Sequence, residues 1–133
     1  MNKHKKTLIT AALPYANGQI HVGHLAGAYL PADIYHRYLK STGQDSLFIC
    51  GSDEYGIAIT IKAEEAKRSP KQQVDHFHEI NRSLFMRMGI EFSHYSRTTL
   101  DHHAKRTQEI FLEHLKNGWI EKNRKMKTRF RDK

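Results

Sequence analysis

The side chains in this sequence best suited to hold a ligand are two histidines, His21 and His24, and one aspartate, Asp53. Histidines three residues apart on a helix are about 60° apart around its axis, so they face the same side. If a helix begins at residues 19–20, both lie near its start, where free backbone N–H groups and the positive end of the dipole favour an anion. Gly23 between them adds no side chain that would keep a bulky ligand away. This pattern predicts a nucleotide phosphate site, although histidines at this spacing are also common as ordinary surface residues.

Asp53 belongs to a loop at residues 51–56, GSDEYG, in which two glycines surround two acids. Two interpretations remain open for its carboxylate. It caps a helix that begins near Ile57, or it binds a cationic group of a ligand. A buried charge-assisted pair with an ammonium group contributes about 1.5 to 3 kcal/mol, which is enough to orient a substrate.

Both candidate sites follow predicted strands. Residues 7–12 are apolar and β-branched, which predicts a short buried strand that ends at the turn signals Pro14, Asn17 and Gly18. Apolar positions at helical spacing predict a helix over residues 22–42, bent at Pro31, and residues 46–50 predict a second buried strand. A strand, helix, strand unit places parallel strands side by side, and ligands collect at their carboxyl ends.

The remaining sequence continues the alternation of strands and helices. We expect helices over residues 57–67 and 70–89, the second one capped by Ser69, then a third strand over residues 90–97 and a last helix over residues 99–117. The predicted fold class is α/β, a Rossmann-like parallel sheet with strand order 3-2-1 and helices on both faces.

Composition narrows the possible classes of protein. The chain has 133 residues, 38% of them hydrophobic, and a single cysteine, which excludes an internal disulfide framework. It contains no apolar run of membrane-spanning length and no leader pattern, so we expect a cytoplasmic protein with no membrane partner. Its histidines outside the first motif have no metal-ligand spacing, and we predict no metal site.

The net charge of +8 is unevenly distributed. Residues 121–133 contain seven Lys or Arg and two acids, so most of the excess positive charge lies in this terminal segment. We therefore predict one domain over residues 1–118 and a basic tail over residues 119–133. Such a run is usually solvated and disordered, and a dedicated RNA-binding patch is the alternative.

Two motifs resemble one enzyme family. Residues 21–24, HVGH, are similar to the HIGH signature of class I aminoacyl-tRNA synthetases. The preceding residues 12–18, ALPYANG, and residues 50–56, CGSDEYG, resemble the methionyl members in particular. The resemblance covers residues 5–118 and implies the first half of a Rossmann-like catalytic domain. It also implies the activity of a methionine–tRNA ligase, with methionine, ATP with Mg²⁺, and tRNA(Met) as substrates.

The resemblance also assigns roles to individual residues. It implies that the catalytic donors are His21 and His24. It places ATP against Tyr15, Asn17, Gly18, His21, Gly23 and His24. It places methionine against Ala12, Leu13, Tyr15 and Asp53, with Asp53 holding the ammonium group.

The family chain is several times longer than this sequence. Its zinc-bearing insertion, second half-sheet, KMSKS loop and anticodon-binding domain have no counterpart here, so we expect a truncated chain that is inactive alone and lacks the family's zinc site. The alternative function is a non-catalytic fragment that binds nucleotide or associates with itself. The edge of the strand at residues 7–12 lacks a partner on one side, which favours self-association.

Overall fold

A computed structural model describes residues 6–122 and divides the chain into two compact units, Met1–Thr99 and Leu100–Lys133. The first unit contains a sheet of three strands: β1 (Thr7–Thr10), β2 (Ser46–Ser52) and β3 (His94–Arg97). The order is β1-β2-β3 and both neighbouring pairs are parallel. The predicted fold class and strand order 3-2-1 are confirmed, since 3-2-1 and 1-2-3 denote the same arrangement.

Two of the strands are shorter than predicted. The strand expected over residues 7–12 ends at Thr10, and beyond it the Ala12 carbonyl accepts from the Tyr29 hydroxyl at 3.0 Å instead of from a neighbouring strand. The strand expected over residues 90–97 begins at His94. Ile90 is still bonded to the preceding helix end, its N–H reaching the Phe85 carbonyl at 3.0 Å.

The helical segment after the first loop is continuous but not uniform. It consists of α1 (Val22–His24), a π-helical turn (Leu25–Tyr29) and α2 (Leu30–Ser41). The bend predicted at Pro31 takes the form of this wider turn, in which the Leu30 N–H bonds the Leu25 carbonyl five residues back. Proline cannot donate to the turn before it, and a π turn rearranges the bonds at that point.

Two helices connect β2 to β3. They are α3 (Ile57–Glu65) and α4 (Pro70–Arg87). The predicted cap at Ser69 is present: its hydroxyl accepts from the Gln72 N–H at 3.2 Å, and the Gln72 side chain accepts from the Ser69 N–H at 2.8 Å. This reciprocal capping box fixes where α4 begins.

The main core lies between the sheet and the helices α2 and α4. Ile9, Phe48 and Cys50 of the strands pack with four large side chains from the helices and the segment that follows α4: Tyr29, Leu39, Phe85 and Ile90. Each such side chain contributes about 1.5 to 3 kcal/mol when fully buried. The core therefore fixes the carboxyl ends of β1 and β2, where the candidate loops begin.

The second unit contains one described helix, α5 (Asp101–Lys116), with Asp101 in its first turn, where an acid suits the helix dipole. No helix in residues 6–122 is both long and apolar enough to cross a membrane. Residues 123–133, the larger part of the predicted basic tail, lie outside the described residues, so that prediction and the domain boundary at residue 118 stay predictions.

Candidate functional site

The two predicted ligand loops are joined by backbone hydrogen bonds beyond the ends of β1 and β2. The Asp53 N–H donates to the Pro14 carbonyl at 2.9 Å, and the Ala16 N–H donates to the Asp53 carbonyl at 2.8 Å. Tyr15 and Asp53 thus form an isolated parallel bridge. The structure brings Pro14, Tyr15 and Ala16 beside Asp53 at the carboxyl edge of the sheet, where parallel α/β sheets bind ligands.

The Asp53 carboxylate does not cap a helix. Helix α3 begins after Gly56, and no side chain caps it. The one described hydrogen bond to the carboxylate comes from the Tyr55 N–H at 3.5 Å, which is long and weak. The half-buried carboxylate therefore keeps acceptor capacity for another group, as the ligand interpretation of Asp53 requires.

Tyr15 and Gly56 fit together closely. The Tyr15 hydroxyl donates to the Tyr55 carbonyl at 2.7 Å. Gly56 has φ +138°, and a Cβ atom placed there would lie 1.8 Å from the Tyr15 hydroxyl oxygen. This position needs glycine both for its backbone conformation and for the space that the tyrosine occupies.

The HVGH residues form the start of helix α1. His21 is the N-cap, and its Nδ1 accepts from the Gly23 N–H at 3.1 Å. The Nδ1 of His24 accepts from the His21 N–H at 3.2 Å. Both rings are exposed, with centroids 3.9 Å apart. A neutral imidazole that accepts at Nδ1 carries its proton on Nε2, so both rings have an N–H donor for a ligand.

Gly23 has a role that its sequence position did not suggest. A Cβ atom at this position would lie 3.0 Å from Cε1 and 3.1 Å from Nδ1 of His21. Its absence allows the His21 ring to fold back and cap the helix. The expectation was that Gly23 leaves room for a ligand, whereas the contact made here is with the neighbouring histidine.

The remaining predicted residues lie in the same first loop. Ala12 and Leu13 follow β1, and Leu13 is 52% exposed. Asn17 and Gly18 form the turn that leads to Ile20. Nothing lies within 4 Å of a Cβ placed on Gly18, so this glycine borders open space.

The loop at residues 11–20 is held by hydrogen bonds to the side chain of Asn81 in α4, a residue that the sequence analysis did not identify. Asn81 is fully buried. Its side-chain oxygen accepts from the Ile20 N–H at 3.1 Å, and its side-chain nitrogen donates to the Gly18 carbonyl at 3.4 Å. The sequence signal for this role was a polar asparagine at a position of α4 that otherwise belongs to the apolar stripe, between Phe77 and Phe85.

A buried polar cluster lies directly beside Asp53, and sequence analysis missed it as well. At its centre is Glu54, which is only 4% exposed. The carboxylate of Glu54 accepts from Arg97 Nε at 2.8 Å, from the Ser52 hydroxyl at 2.7 Å and from the Thr99 hydroxyl. The Glu54 N–H also donates to the Thr98 hydroxyl at 3.0 Å.

Helix α4 completes this cluster. Arg97 Nη2 donates to Asp75 at 2.6 Å, and the Ser52 hydroxyl lies 2.6 Å from Nδ1 of His78. Because the Ser52 proton is directed to Glu54, His78 donates from Nδ1 to the serine oxygen. Hydrogen bonds from Lys71 and Arg97 lower the pKa of Asp75, and burial lowers the pKa of His78.

The structure contains no candidate metal centre among residues 6–122: no three His, Cys, Asp or Glu side chains are grouped so that they could hold an ion. His78, which sequence analysis left without a role, is part of the buried cluster. His76 and His94 are exposed.

A family profile and two curated proteins that match this chain all point to the same family. The family profile described as tRNA synthetases class I (M) matches residues 7–131. The methionine–tRNA ligase of Protochlamydia amoebophila is 56% identical over 117 residues, which is 88% of this chain and 17% of that protein. The corresponding ligase of Pyrococcus furiosus is 54% identical over 115 residues, 86% of this chain and 16% of that protein. The chain thus spans about a sixth of the length of these curated relatives.

Solved structures share the fold. The methionyl-tRNA synthetase of Mycobacterium tuberculosis, solved with methionyl-adenylate, superposes with a TM-score of 0.82 at 24% identity, covering 86% of this chain and 22% of that one. A leucyl-tRNA synthetase of Agrobacterium radiobacter reaches 0.81 at 22% identity, covering 86% of this chain and 15% of that one. These two structures show the fold, and the family profile that matches residues 7–131 shows that the chain belongs to the methionyl group of class I aminoacyl-tRNA synthetases.

Proposed function

We propose that this chain supplies the methionine site and part of the ATP site of a methionine–tRNA ligase. The observation that carries the proposal is the pairing of Ala16 and Pro14 with Asp53, which joins a carboxylate that keeps acceptor capacity to the loop that leads into His21 and His24. Such a ligase first forms methionyl-adenylate and then transfers methionine to tRNA(Met). Because charging of tRNA accompanies translation, we also propose a cytoplasmic location.

The methionine end of the site is built around Asp53. Its carboxylate would take the substrate ammonium, since its one described hydrogen bond is long and leaves acceptor capacity. Leu13 is exposed one residue before Pro14, whose carbonyl accepts from the Asp53 N–H, and the Tyr15 ring is fixed by its hydroxyl bond to Tyr55. Ala12 lies one residue before Leu13 and would contribute backbone contacts. An ammonium and carboxylate pair here contributes about 1.5 to 3 kcal/mol, which orients the amino acid.

The ATP end of the site is the start of α1. We assign His21 and His24 as donors to the phosphate oxygens through their Nε2–H groups, with Asn17, Gly18 and Gly23 as the backbone that ATP approaches. Tyr15 lies between the two ends of the site and would contact both ligands. Mg²⁺ would arrive with ATP as part of that substrate, and no described residue is assigned to it.

The reaction needs no protein nucleophile. The methionine carboxylate oxygen attacks the α-phosphorus, a new O–P bond forms, and the bond to the β-phosphate oxygen breaks to release pyrophosphate. The site contributes by holding the two substrates in line and by donating hydrogen bonds as negative charge builds on the phosphorus oxygens. His21 and His24 supply those donors in this account.

A non-catalytic, self-associating fragment is the second candidate, and one observation favours it. Among residues 6–122, β1 is an edge strand in the order β1-β2-β3, and Leu8 on it is 61% exposed. The edge predicted over residues 7–12 is here limited to Thr7–Thr10. An uncovered apolar edge pairs readily with other chains. Sedimentation of the 133-residue chain should show dimers or larger species, and a stable monomer would exclude this candidate.

The test of the main proposal is methionine-dependent exchange of pyrophosphate into ATP, with the other amino acids as controls. A ligase that contains this chain should catalyse exchange with methionine, and Asp53→Asn should lower it by weakening methionine binding. We expect the 133-residue chain alone to bind methionine without measurable exchange. Exchange that another amino acid supports equally well would contradict the assignment of methionine.

A further inference from the structure

We propose that Glu54 and Arg97 are positioning residues for Asp53: their buried ion pair fixes the loop that presents the Asp53 carboxylate to methionine. This inference rests on the proposed function. It adds to that function two residues that do not themselves touch the ligand.

The first line of support is the position of Glu54 in the chain. It follows Asp53 directly, so the Asp53 carbonyl and the Glu54 N–H belong to one planar peptide unit. The Asp53 backbone bonds to Pro14 and Ala16 on one side. Glu54 is anchored on the other side, through its N–H to Thr98 and its carboxylate to Arg97. The peptide between the two acids is therefore held from both directions.

The second line of support is the number of hydrogen bonds that the Glu54 carboxylate accepts. Three donors reach it: Arg97, Ser52 and Thr99. Arg97 is itself fixed by Asp75 at 2.6 Å. A buried carboxylate with all its partners in place specifies one geometry, because any shift leaves a charge without compensation. Asp53 next to it has one weak hydrogen bond, so its orientation depends on the backbone that Glu54 holds.

The chain contains a control for the general cost of neutralising a buried carboxylate that pairs with an arginine. Asp33 of α2 is 5% exposed, pairs with Arg37 at 2.6 Å and accepts from the Glu91 N–H at 3.4 Å. Asp33 resembles Glu54 in its own burial and in pairing with an arginine, whereas the Arg37 side chain is 54% exposed and that of Arg97 is 19% exposed. Glu91 precedes β3, whereas Arg97 ends it, so the control pair lies away from the carboxyl edge of the sheet.

The experiment compares Glu54→Gln with Asp33→Asn in the 133-residue chain. Amide hydrogen exchange is measured at Ala16 and Asp53, whose N–H groups join the two loops, relative to exchange in the core of β2. Binding of methionine and of ATP is measured on the same samples. In Glu54→Gln we expect both loop amides to exchange at least about tenfold faster and methionine binding to weaken about tenfold, with ATP binding within about twofold. Asp33→Asn should change none of these.

Two outcomes would overturn the inference: equal changes in both variants, or unchanged loop exchange in Glu54→Gln. If Glu54→Gln does not fold, Thr99→Val removes one donor to Glu54 and leaves the ion pair; it should move the same readouts in the same direction by less, and no movement would again contradict the proposal. If the unmodified chain binds no methionine, the proposed function fails for this chain, while the exchange rates still decide whether Glu54 positions the loop.

Discussion

The HVGH segment and the Glu54 cluster lie at the same sheet edge but differ in burial and bonding. His21 and His24 are exposed, and each uses one ring nitrogen to stabilise the helix start and has an N–H on the other. Glu54 is buried, and its carboxylate has three donors. A binding site needs donors and acceptors that are still able to bond a ligand. The residues that hold those groups in place need hydrogen bonds that are already complete within the protein.

This difference predicts that substitutions in the two regions impair different properties of the protein. Changes at the histidines should alter chemistry with little effect on folding. Changes in the Glu54 cluster should lower the stability of the fold, and they should weaken ligand binding as a consequence of that loss. The following predictions test that separation, from the largest effect to the smallest.

Glu54→Ala should lower the free energy of unfolding by about 3 to 5 kcal/mol, because it removes the shared acceptor of the Arg97, Ser52 and Thr99 donors from a buried cluster. Chemical denaturation monitored by circular dichroism measures the loss. His24→Ala, which removes only the exposed ring that accepts the His21 N–H, should cost about 1 kcal/mol. Similar losses in the two variants would contradict the separation.

His24→Ala in a ligase that contains this chain should slow adenylate formation by about 10² to 10³, or about 3 kcal/mol, because one donor to the developing charge is lost. Methionine affinity should change far less. Pyrophosphate exchange at saturating and limiting methionine separates the two effects. An equal loss of rate and affinity would contradict the role given to His24.

Gly56→Ala should destabilise the chain by about 1 to 3 kcal/mol, because alanine is strained at φ +138° and its Cβ would displace the Tyr15 hydroxyl. Gly18→Ala is the control, since open space surrounds that position. Thermal unfolding compares the two variants. A Gly56→Ala chain as stable as Gly18→Ala would mean that Tyr15 is not held as described.

The stability of the chain should fall as the pH drops below about 6.5, with His78 as one cause. Burial lowers the pKa of His78, and the nearby Arg97 acts in the same direction, while Glu54 opposes it. His78 in the unfolded chain therefore binds a proton more readily than His78 in the folded chain. The stability that neutral His78 contributes is fully present above pH 6.5, its pKa in the unfolded chain, and is lost as the pH falls through its lower pKa in the folded chain.

Denaturation at pH 7.5, 6.5 and 5.5 measures this slope, and His78→Gln should reduce it. Burial also lowers the pKa of His36, which should supply part of the remaining slope. A slope that is unchanged in His78→Gln would contradict the buried, neutral state of His78.

Much of the architecture follows from local sequence pattern. The three strands, their parallel order and the capped helix α4 were predictable, because apolar runs, turn residues and the Ser69-Pro70 start are local signals. Strand ends were not, since Ala12 and Ile90 bond to groups distant in the chain or in a preceding helix. The sequence predicted a bend at Pro31 but not the π-helical form of the turn that precedes it.

The candidate site divides in the same way. His21, His24 and Asp53 were identified because their spacing and loop context are local and resemble a known motif. Glu54 was seen only as a second loop acid, because its partner Arg97 is 43 residues away in sequence and the contact exists only in the folded chain. Asn81 was missed for the same reason, at 61 residues from Ile20.

The most direct test of the central claim, that one paired-loop site binds methionine at one end and ATP at the other, is an amide NMR titration of the 133-residue chain with each ligand. The account predicts that methionine shifts the signals of Leu13, Tyr15 and Asp53, that ATP shifts those of Gly23 and His24, and that Asp53→Asn abolishes only the methionine response. Shifts at unrelated positions, or a methionine response that Asp53→Asn leaves intact, would contradict it.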